Sequence, residues 1–299
     1  MKVALIILFI LHMPLAVALR PPSRIQAQSR VVAIGDVHGD FSATQKALKI
    51  AKVMNDSEEW IGGNTFLVQT GDQLDRGDGE RQLIDLLEKL RPKAQKAGGD
   101  ILVLNGNHEA MNVDLDFRYV TQAGFANFAN LYNHSRSDDS ELDDFPQYMR
   151  GRVLAFRPGG KYAKIFGQHN TLMIIGQTLF LHGGLTPDYM YMELENINQK
   201  IADWMSGEAA RPDFITDARG PLWSRDYSSD MSPAKCHELE QVLDHLALKR
   251  MVVAHTVFDH INSACQNKVW RIDVGMSNAY GGEVEVLEIL HDKILNILR

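Results

Sequence analysis

Only two cysteines, Cys236 and Cys265, occur in the 299 residues, too few for a disulfide framework. An exported chain could still pair them, since oxidising compartments permit it. Basic charge is also short. Lys and Arg number 31 against 38 Asp and Glu, for a net charge of −7 and a pI near 5.9. That balance argues against a nucleic-acid backbone as the main partner. Beyond the first twenty residues no apolar run has the length of a bilayer span. There is no phosphate-binding P-loop either. The run Gly159-Gly160-Lys161 has Ala155 where the first glycine belongs and Tyr162 in place of Ser or Thr. No internal repeat or low-complexity linker appears. What is present is globular in composition, 45% hydrophobic and 23% charged, ample for a full core.

The first twenty residues differ from the rest. Lys2 precedes an apolar run over residues 3–19, interrupted by His12 and Pro14, and Ala16-Val17-Ala18 supplies an A-x-A cleavage pattern. Residues 1–18 therefore read as a secretory signal peptide. A retained membrane anchor is the alternative, against which the short run and Pro14 both count. The expected location is the secretory pathway, extracellular or periplasmic, with an organelle lumen also open. Residues 19–30 read as a polar leader. Residues 31–299 read as a single catalytic domain, with no stable membrane span after cleavage.

Residues 31–34, 66–70 and 101–104 are short β-type runs. Helices are expected between them, at 42–54 and around Leu83, Ile84, Leu87 and Leu90, which fall at helical spacing. Strand and helix in alternation imply parallel pairing with right-handed crossovers. The runs 172–175 and 178–181 form a hairpin pattern about Gly176-Gln177. Helices at 190–205 and 233–248 and strands at 251–254, 269–274 and 284–290 complete a second, strand-rich half. The expected fold class is α/β, two packed sheets with outer helices. The acidic stretch 135–144 reads as an exposed loop.

Three phrases stand where the first three strands end: Gly35-Asp36-Val37-His38-Gly39, Gly71-Asp72-Gln73-Leu74-Asp75-Arg76-Gly77 and Asn105-Gly106-Asn107-His108-Glu109. Ligands of α/β sheets bind at such carboxyl ends. His182 and His255 each follow a later strand. Any one of these histidines alone reads best as a hydrogen-bonded structural residue. Five elements in order reverse that reading and describe a two-metal phosphate-cleaving site. A mixed Asp, His and Asn set suits manganese first, with iron or zinc as alternatives, more than calcium. Two ions about 3.5–4 Å apart clamp the attacking and leaving oxygens. Asp72 is the expected bridge, with Asp36 and His38 completing one site and Asn107, His182 and His255 the other. Such a pair makes hydroxide available near neutral pH for in-line attack on phosphorus. His108 is the expected general acid and Asp75 its support. The alternatives are a third ligand for His108 and a turn residue for Asp75. Arg76 and Arg225 match phosphate oxygens, the alternative for Arg225 being a surface ion pair.

The set GDVHG, GDQLDRG, GNHE, HGG and AHT resembles the PPP-type phosphoprotein phosphatases of the metallophosphoesterase superfamily. The surrounding segments, Asn112-Val113 to Phe117-Arg118-Tyr119, Arg157-Pro158-Gly159-Gly160 and Trp270-Arg271-Ile272-Asp273-Val274-Gly275-Met276-Ser277, are similar to the Shewanella-like branch. The resemblance covers residues 31–290. It implies a metallophosphoesterase-type β-sandwich of two mixed sheets flanked by helices. It implies ligand roles for Asp36, His38, Asp72, Asn107, His182 and His255, an acid pair of His108 with Asp75, and phosphate binding by Arg76. It also implies a phosphoprotein or phosphopeptide substrate with a phosphotyrosine preference. The SAPNYCG segment of eukaryotic members is absent, and Ser277-Asn278-Ala279-Tyr280-Gly281-Gly282 matches it only loosely.

Three other readings compete. Cys265 and Arg271 have the C-x5-R spacing of cysteine-dependent phosphatases, but the segment between them lacks glycine and runs into a strand. The same metal centre could hydrolyse dinucleoside polyphosphates or other phosphoesters. A binding protein of another class, an exported pseudoenzyme that holds phosphoproteins, would have lost a ligand or His108, and every such position is filled.

Overall fold

The computed structural model describes residues 20–132, 139–229 and 231–299. The signal-peptide assignment to residues 1–18 lies outside them. Two mixed sheets form the centre. The five-stranded sheet runs β11 (Ile294–Leu298), β10 (Val286–Leu290), β2 (Arg30–Ile34), β3 (Phe66–Gln69), β4 (Asp100–Val103). The six-stranded sheet runs β1 (Arg24–Ile25), β5 (Leu172–Ile175), β6 (Thr178–Leu181), β7 (Arg250–Val253), β9 (Val269–Arg271), β8 (Asn262–Ala264). Strands β2, β3 and β4 pair in parallel, as do β6, β7 and β9. The inner strands read as nearly unbroken apolar runs because both of their faces are covered. All four residues of β5, β6 and β7 are buried.

Helix α1 (Phe41–Ile50) links β2 to β3 and is capped by Asp40, whose side chain accepts a hydrogen bond from the Ala43 N–H. Helix α2 (Glu80–Lys96) links β3 to β4. Its Leu83, Ile84, Leu87 and Leu90 are no more than 1% exposed, so the expected stripe is the face it buries. Each such side chain contributes roughly 2 kcal/mol of apolar burial. Residues 112–170 show little periodicity, yet among the described residues of 107–170 the α-helices are α3 (Asn107–Val113), α4 (Gln122–Ala126), α5 (Gln147–Phe156) and α6 (Lys161–Phe166). Phe125 of α4 and Val153 of α5 join Phe117 and Leu142 in a small separate core. Part of the supposed exposed loop, Ser140–Asp144, is a 3-10 turn whose Leu142 belongs to that core. Helices α7 (Leu194–Ser206) and α8 (Pro233–His245) lie in the second half of the chain.

The reading of residues 19–30 as a leader needs correction. From Arg20 onward the segment is docked. Arg20 donates to Asn170 Oδ1 at 2.5 Å and pairs with Glu195, and Ser23 also donates to Glu195. Arg24 and Ile25 then add a parallel edge strand to β5. A polar sequence can do this because an edge strand needs only its backbone groups and one covered face. Strands β8 and β11 also escape pattern reading, β8 being three polar or small residues long.

Cys236 on α8 and Cys265 in the turn between β8 and β9 form a disulfide. The bond closes a loop with a sequence separation of 29 residues. For that loop length, cross-linking the unfolded chain stabilises by roughly 3–4 kcal/mol. Replacing both cysteines by serine is expected to lower unfolding stability by about that amount. Urea titrations of the two proteins measure it, and alkylation of the unfolded native chain should require a reductant.

Candidate metal centre

Five strand ends from two sheets converge on one point. Asp36 and His38 follow β2, Asp72 follows β3 and Asn107 opens α3 after β4. His182 follows β6 and His255 follows β7, so the second sheet supplies both. The loops interlock through their backbones. Asp72 O accepts hydrogen bonds from Val37 N at 3.2 Å and His38 N at 2.9 Å, and Gln73 O accepts from Gly39 N at 2.8 Å. His38, Asp72, Asp75, Arg76 and His255 all have positive φ, between 40° and 69°. For side-chain-bearing residues that conformation is strained, and strain of this kind gathers where surroundings over-determine a functional geometry. Two glycines permit the close approach. A Cβ on Gly106 would lie 2.2 Å from Asp72 Oδ1, and one on Gly71 would lie 2.5 Å from Gly106 N.

His182 and His38 are each oriented by their other nitrogen, whereas His255 Nε2 is buried without a partner among the described residues. His182 Nδ1 donates to Thr70 O at 3.0 Å and His38 Nδ1 donates to Leu74 O at 3.0 Å, which leaves both Nε2 atoms as bare lone pairs. His182 Nε2 then faces three further lone-pair atoms: Asn107 Oδ1 at 2.8 Å, His255 Nδ1 at 3.1 Å and Asp72 Oδ2 at 3.3 Å. His38 Nε2 lies 3.8 Å from Asp72 Oδ2 and 3.9 Å from Asp36 Oδ2. Acceptors facing acceptors in a dry interior repel one another unless a cation lies among them. Ligand atoms of His38, Asp72 and His108 lie within 4.8 Å of one another, and so do those of Asp72, His182 and His255. The donor set fits two divalent ions sharing Asp72.

The electrostatics agree. Burial, then the charges of Asp273 and Asp72, push the Asp36 carboxyl well above its usual range. Burial, then the neighbouring His182, lowers His255 to about 2. Burial lowers His38 to about 4, against the opposing pull of Asp72. Both rings are thus neutral at pH 7, the form that ligates metal. His108 behaves in the opposite way. Burial would lower it, but the Asp72 charge and the hydrogen bond to Asp75 outweigh burial and raise it above the ordinary histidine value. Its Nδ1 donates to Asp75 Oδ2 at 2.5 Å, and its Nε2 lies 3.8 Å from Asp72 Oδ2.

The two arginines stand at the rim. The Arg76 guanidinium lies between the rings of Tyr119 and Tyr280, 4.5 and 5.2 Å from their centroids. Its Nε is buried without a partner. Tyr280 also lies 5.5 Å from the His38 ring, so the loosely matching 277–282 segment does reach the site. Arg225 donates to His255 O at 2.9 Å and Thr256 Oγ1 at 2.7 Å. It is anchored on the histidine loop, and among the described residues it makes no ion pair.

All ten expected site residues come together. Sequence reasoning missed Glu109, Tyr119, Glu80, Asn112 and Arg152. Glu109 accepts from the N–H groups of Asp72, Gln73 and Gly106 at 2.7–2.8 Å and so fixes the Asp72 turn. Tyr119 packs 5.2 Å from the His108 ring. Arg152 and Asn112 reach Asp75 from behind, and Glu80 holds its backbone N–H. One signal for Arg152 was available: it sits four residues before Phe156 and three after Met149, on the apolar side of its helix. The C-x5-R reading is overturned, because the Cys265 sulfur is bonded to Cys236 and can form no thiolate.

Residues 29–259 match the calcineurin-like phosphoesterase family. The chain is 39% identical to Shewanella-like protein phosphatase 2 of Arabidopsis thaliana, over 92% of this chain and 79% of that protein. It is 30% identical to Shewanella-like protein phosphatase 1 of Plasmodium berghei, over 85% of this chain and 68% of that protein. Among solved structures it is similar to the cold-active protein tyrosine phosphatase of a psychrophilic Shewanella species. That match has a TM-score of 0.75 and 25% identity, over 94% of this chain and 84% of the other.

Asp72 is the one ligand common to both ligand groups. Asp72→Asn is therefore expected to lower bound metal to well under half the wild-type content, measured by elemental analysis after gel filtration. A loss of about 4 kcal/mol in transition-state stabilisation corresponds to about a thousandfold in turnover. Wild-type metal content in this variant would count against the shared-ligand geometry.

Proposed function

The chain belongs to the calcineurin-like phosphoesterases, in their Shewanella-like protein phosphatase branch, and on that premise we propose that it is a two-metal phosphotyrosyl-protein phosphatase. The observation that carries the reading is the convergence of lone-pair donors on Asp72 with a hydrogen-bonded His108–Asp75 pair beside it. The tyrosine preference draws support from the solved neighbour, a cold-active protein tyrosine phosphatase.

Asp36, His38 and Asp72 would hold one ion, and Asp72, Asn107, His182 and His255 the other. Manganese suits this mixed oxygen and imidazole set, with iron or zinc as alternatives. When bound, the ions supply Lewis acidity, screening the phosphate charge and acidifying water. The protein's own groups do the rest. Arg76, pinned between two tyrosine rings, presents its guanidinium to the phosphate oxygens, and Arg225 offers a second set of donors from the His255 loop. The departing oxygen needs a proton, and His108 Nε2 delivers it. Asp75 holds the ring by its Nδ1–H and stabilises the imidazolium beforehand. The hydrogen bond from His108 Nδ1 to Asp75 favours the protonated ring.

We further propose that the protein is exported. The apolar run of residues 3–19 and the A-x-A pattern support this, and a disulfide suits an oxidising compartment.

The chain from Leu19 onward, purified with manganese, is expected to dephosphorylate phosphotyrosine peptides faster than matched phosphoserine and phosphothreonine peptides. A chelator should abolish turnover and added manganese restore it. Equal rates on the three peptides would remove the tyrosine preference, and chelator-resistant turnover would remove the metal mechanism.

A further inference from the structure

Behind the His108–Asp75 pair lies a charged group that the reaction does not touch. Arg152, on α5, is completely buried, as are Glu80 and Asp75. Its guanidinium sits among the rings of Phe117, Phe125, Phe128 and Phe156, with centroids 5.8, 6.0, 5.4 and 4.8 Å away. Burying a charged pair there is weak evidence for stability, because the desolvation cost rivals the attraction. An apolar residue would fill that space at less risk. The hydrogen bonds point to another reason.

The Arg152 guanidinium is saturated. It donates to both oxygens of Glu80, at 2.5 and 2.9 Å, to Gly124 O at 3.1 Å and to Asn112 Oδ1 at 2.9 Å. A longer contact, 3.4 Å, reaches Asp75 Oδ1. Glu80 and Asn112 carry the arrangement onward. Glu80 Oε1 accepts from the Asp75 backbone N–H at 2.6 Å, and Asn112 Nδ2 donates to Asp75 Oδ1 at 3.0 Å. Asp75 is thus gripped by its backbone N–H and by one carboxylate oxygen, with its other oxygen left for His108 Nδ1. It needs that grip, because its φ is +69°. Three helices contribute: Glu80 from α2, Asn112 from α3 and Arg152 from α5.

We propose that Arg152, acting through Glu80 and Asn112, is the positioning residue for the proton donor. It fixes the Asp75 carboxylate so that His108 presents Nε2 to the oxygen leaving phosphorus. As a water oxygen bonds to phosphorus and the P–O bond to the leaving group breaks, that bond's electron pair goes to the leaving oxygen, which takes the proton from His108. The rings of Phe117 and Phe125 from the small core and of Phe128 and Phe156 from the main core are the housing that holds Arg152 in place. This inference rests on the reading of His108 as proton donor.

A leaving-group series tests it. Esters of acidic phenols depart without a proton, whereas phenyl phosphate needs one. The mature chain, His108→Asn, Arg152→Met, and the double variant Glu80→Gln with Arg152→Met would each be assayed on phenyl, 4-nitrophenyl and 2,4-dinitrophenyl phosphate. The double variant removes both buried charges together, so it is available if Arg152→Met alone does not fold. In His108→Asn the dinitrophenyl-to-phenyl ratio of kcat should rise about a hundredfold. In the Arg152 variants it should rise about tenfold, a part of the same acid contribution. In the zinc-loaded protein, the downfield proton signal lost in His108→Asn should shift or broaden in the Arg152 variants at wild-type metal content. An unchanged ratio and signal in the folded Arg152 variants, with the His108→Asn ratio raised, overturns the positioning role. An unchanged ratio in His108→Asn overturns the proton-donor reading itself.

Discussion

The molecule is organised around the Asp72 carboxylate, a buried anion ringed by other lone-pair donors. Nothing in an apolar interior tolerates that arrangement without compensation. Much of the surrounding architecture keeps the donors close until a cation relieves them. Gly71 and Gly106 let backbones pass within van der Waals distance. Glu109 ties three backbone N–H groups beneath the turn. The Asp72 carbonyl, by accepting from Val37 and His38, sets the first loop against the second. Two hydrogen bonds, to the Thr70 and Leu74 carbonyls, orient His182 and His38 so that their free nitrogens point inward.

The same centre explains why two sheets are needed. One sheet offers its parallel strand ends with Asp36, Asp72 and Asn107. The other offers its own with His182 and His255. Oxygen-rich loops come from the first and imidazoles from the second, apart from His38. A single sheet could present ligands along one edge only. Two sheets meeting at their carboxyl ends can enclose an ion from opposite sides, and that enclosure keeps water from weakening the electrostatics.

Much of this was legible in the sequence. Strands β2 to β7 appear as apolar runs because buried strands must be apolar on both faces, and the ligand phrases follow them directly. The helix stripe of Leu83, Ile84, Leu87 and Leu90 was equally plain. Other parts were hidden for physical reasons. Strand β1 is two residues long and held by backbone pairing, which leaves no composition signal. The helices at 122–126 and 161–166 are too short to show a period. Glu80 and Arg152 carry charges, and charge reads as surface unless a partner is known to lie opposite in space. Pairing of Cys236 with Cys265 depends on a three-dimensional distance that no spacing rule supplies. The local signals therefore located the reacting groups, while the groups that hold them from behind were visible only in the assembled fold.

The division of ligands between two sheets has an effect outside catalysis. A partly assembled chain, with one sheet formed, owns only half of the donor set and gains little from an ion. The finished fold owns all of it. An ion that binds the finished fold and not its precursors shifts the folding balance toward completion by mass action. Metal supply would then govern how much of this protein survives quality control, as well as how fast each surviving molecule works.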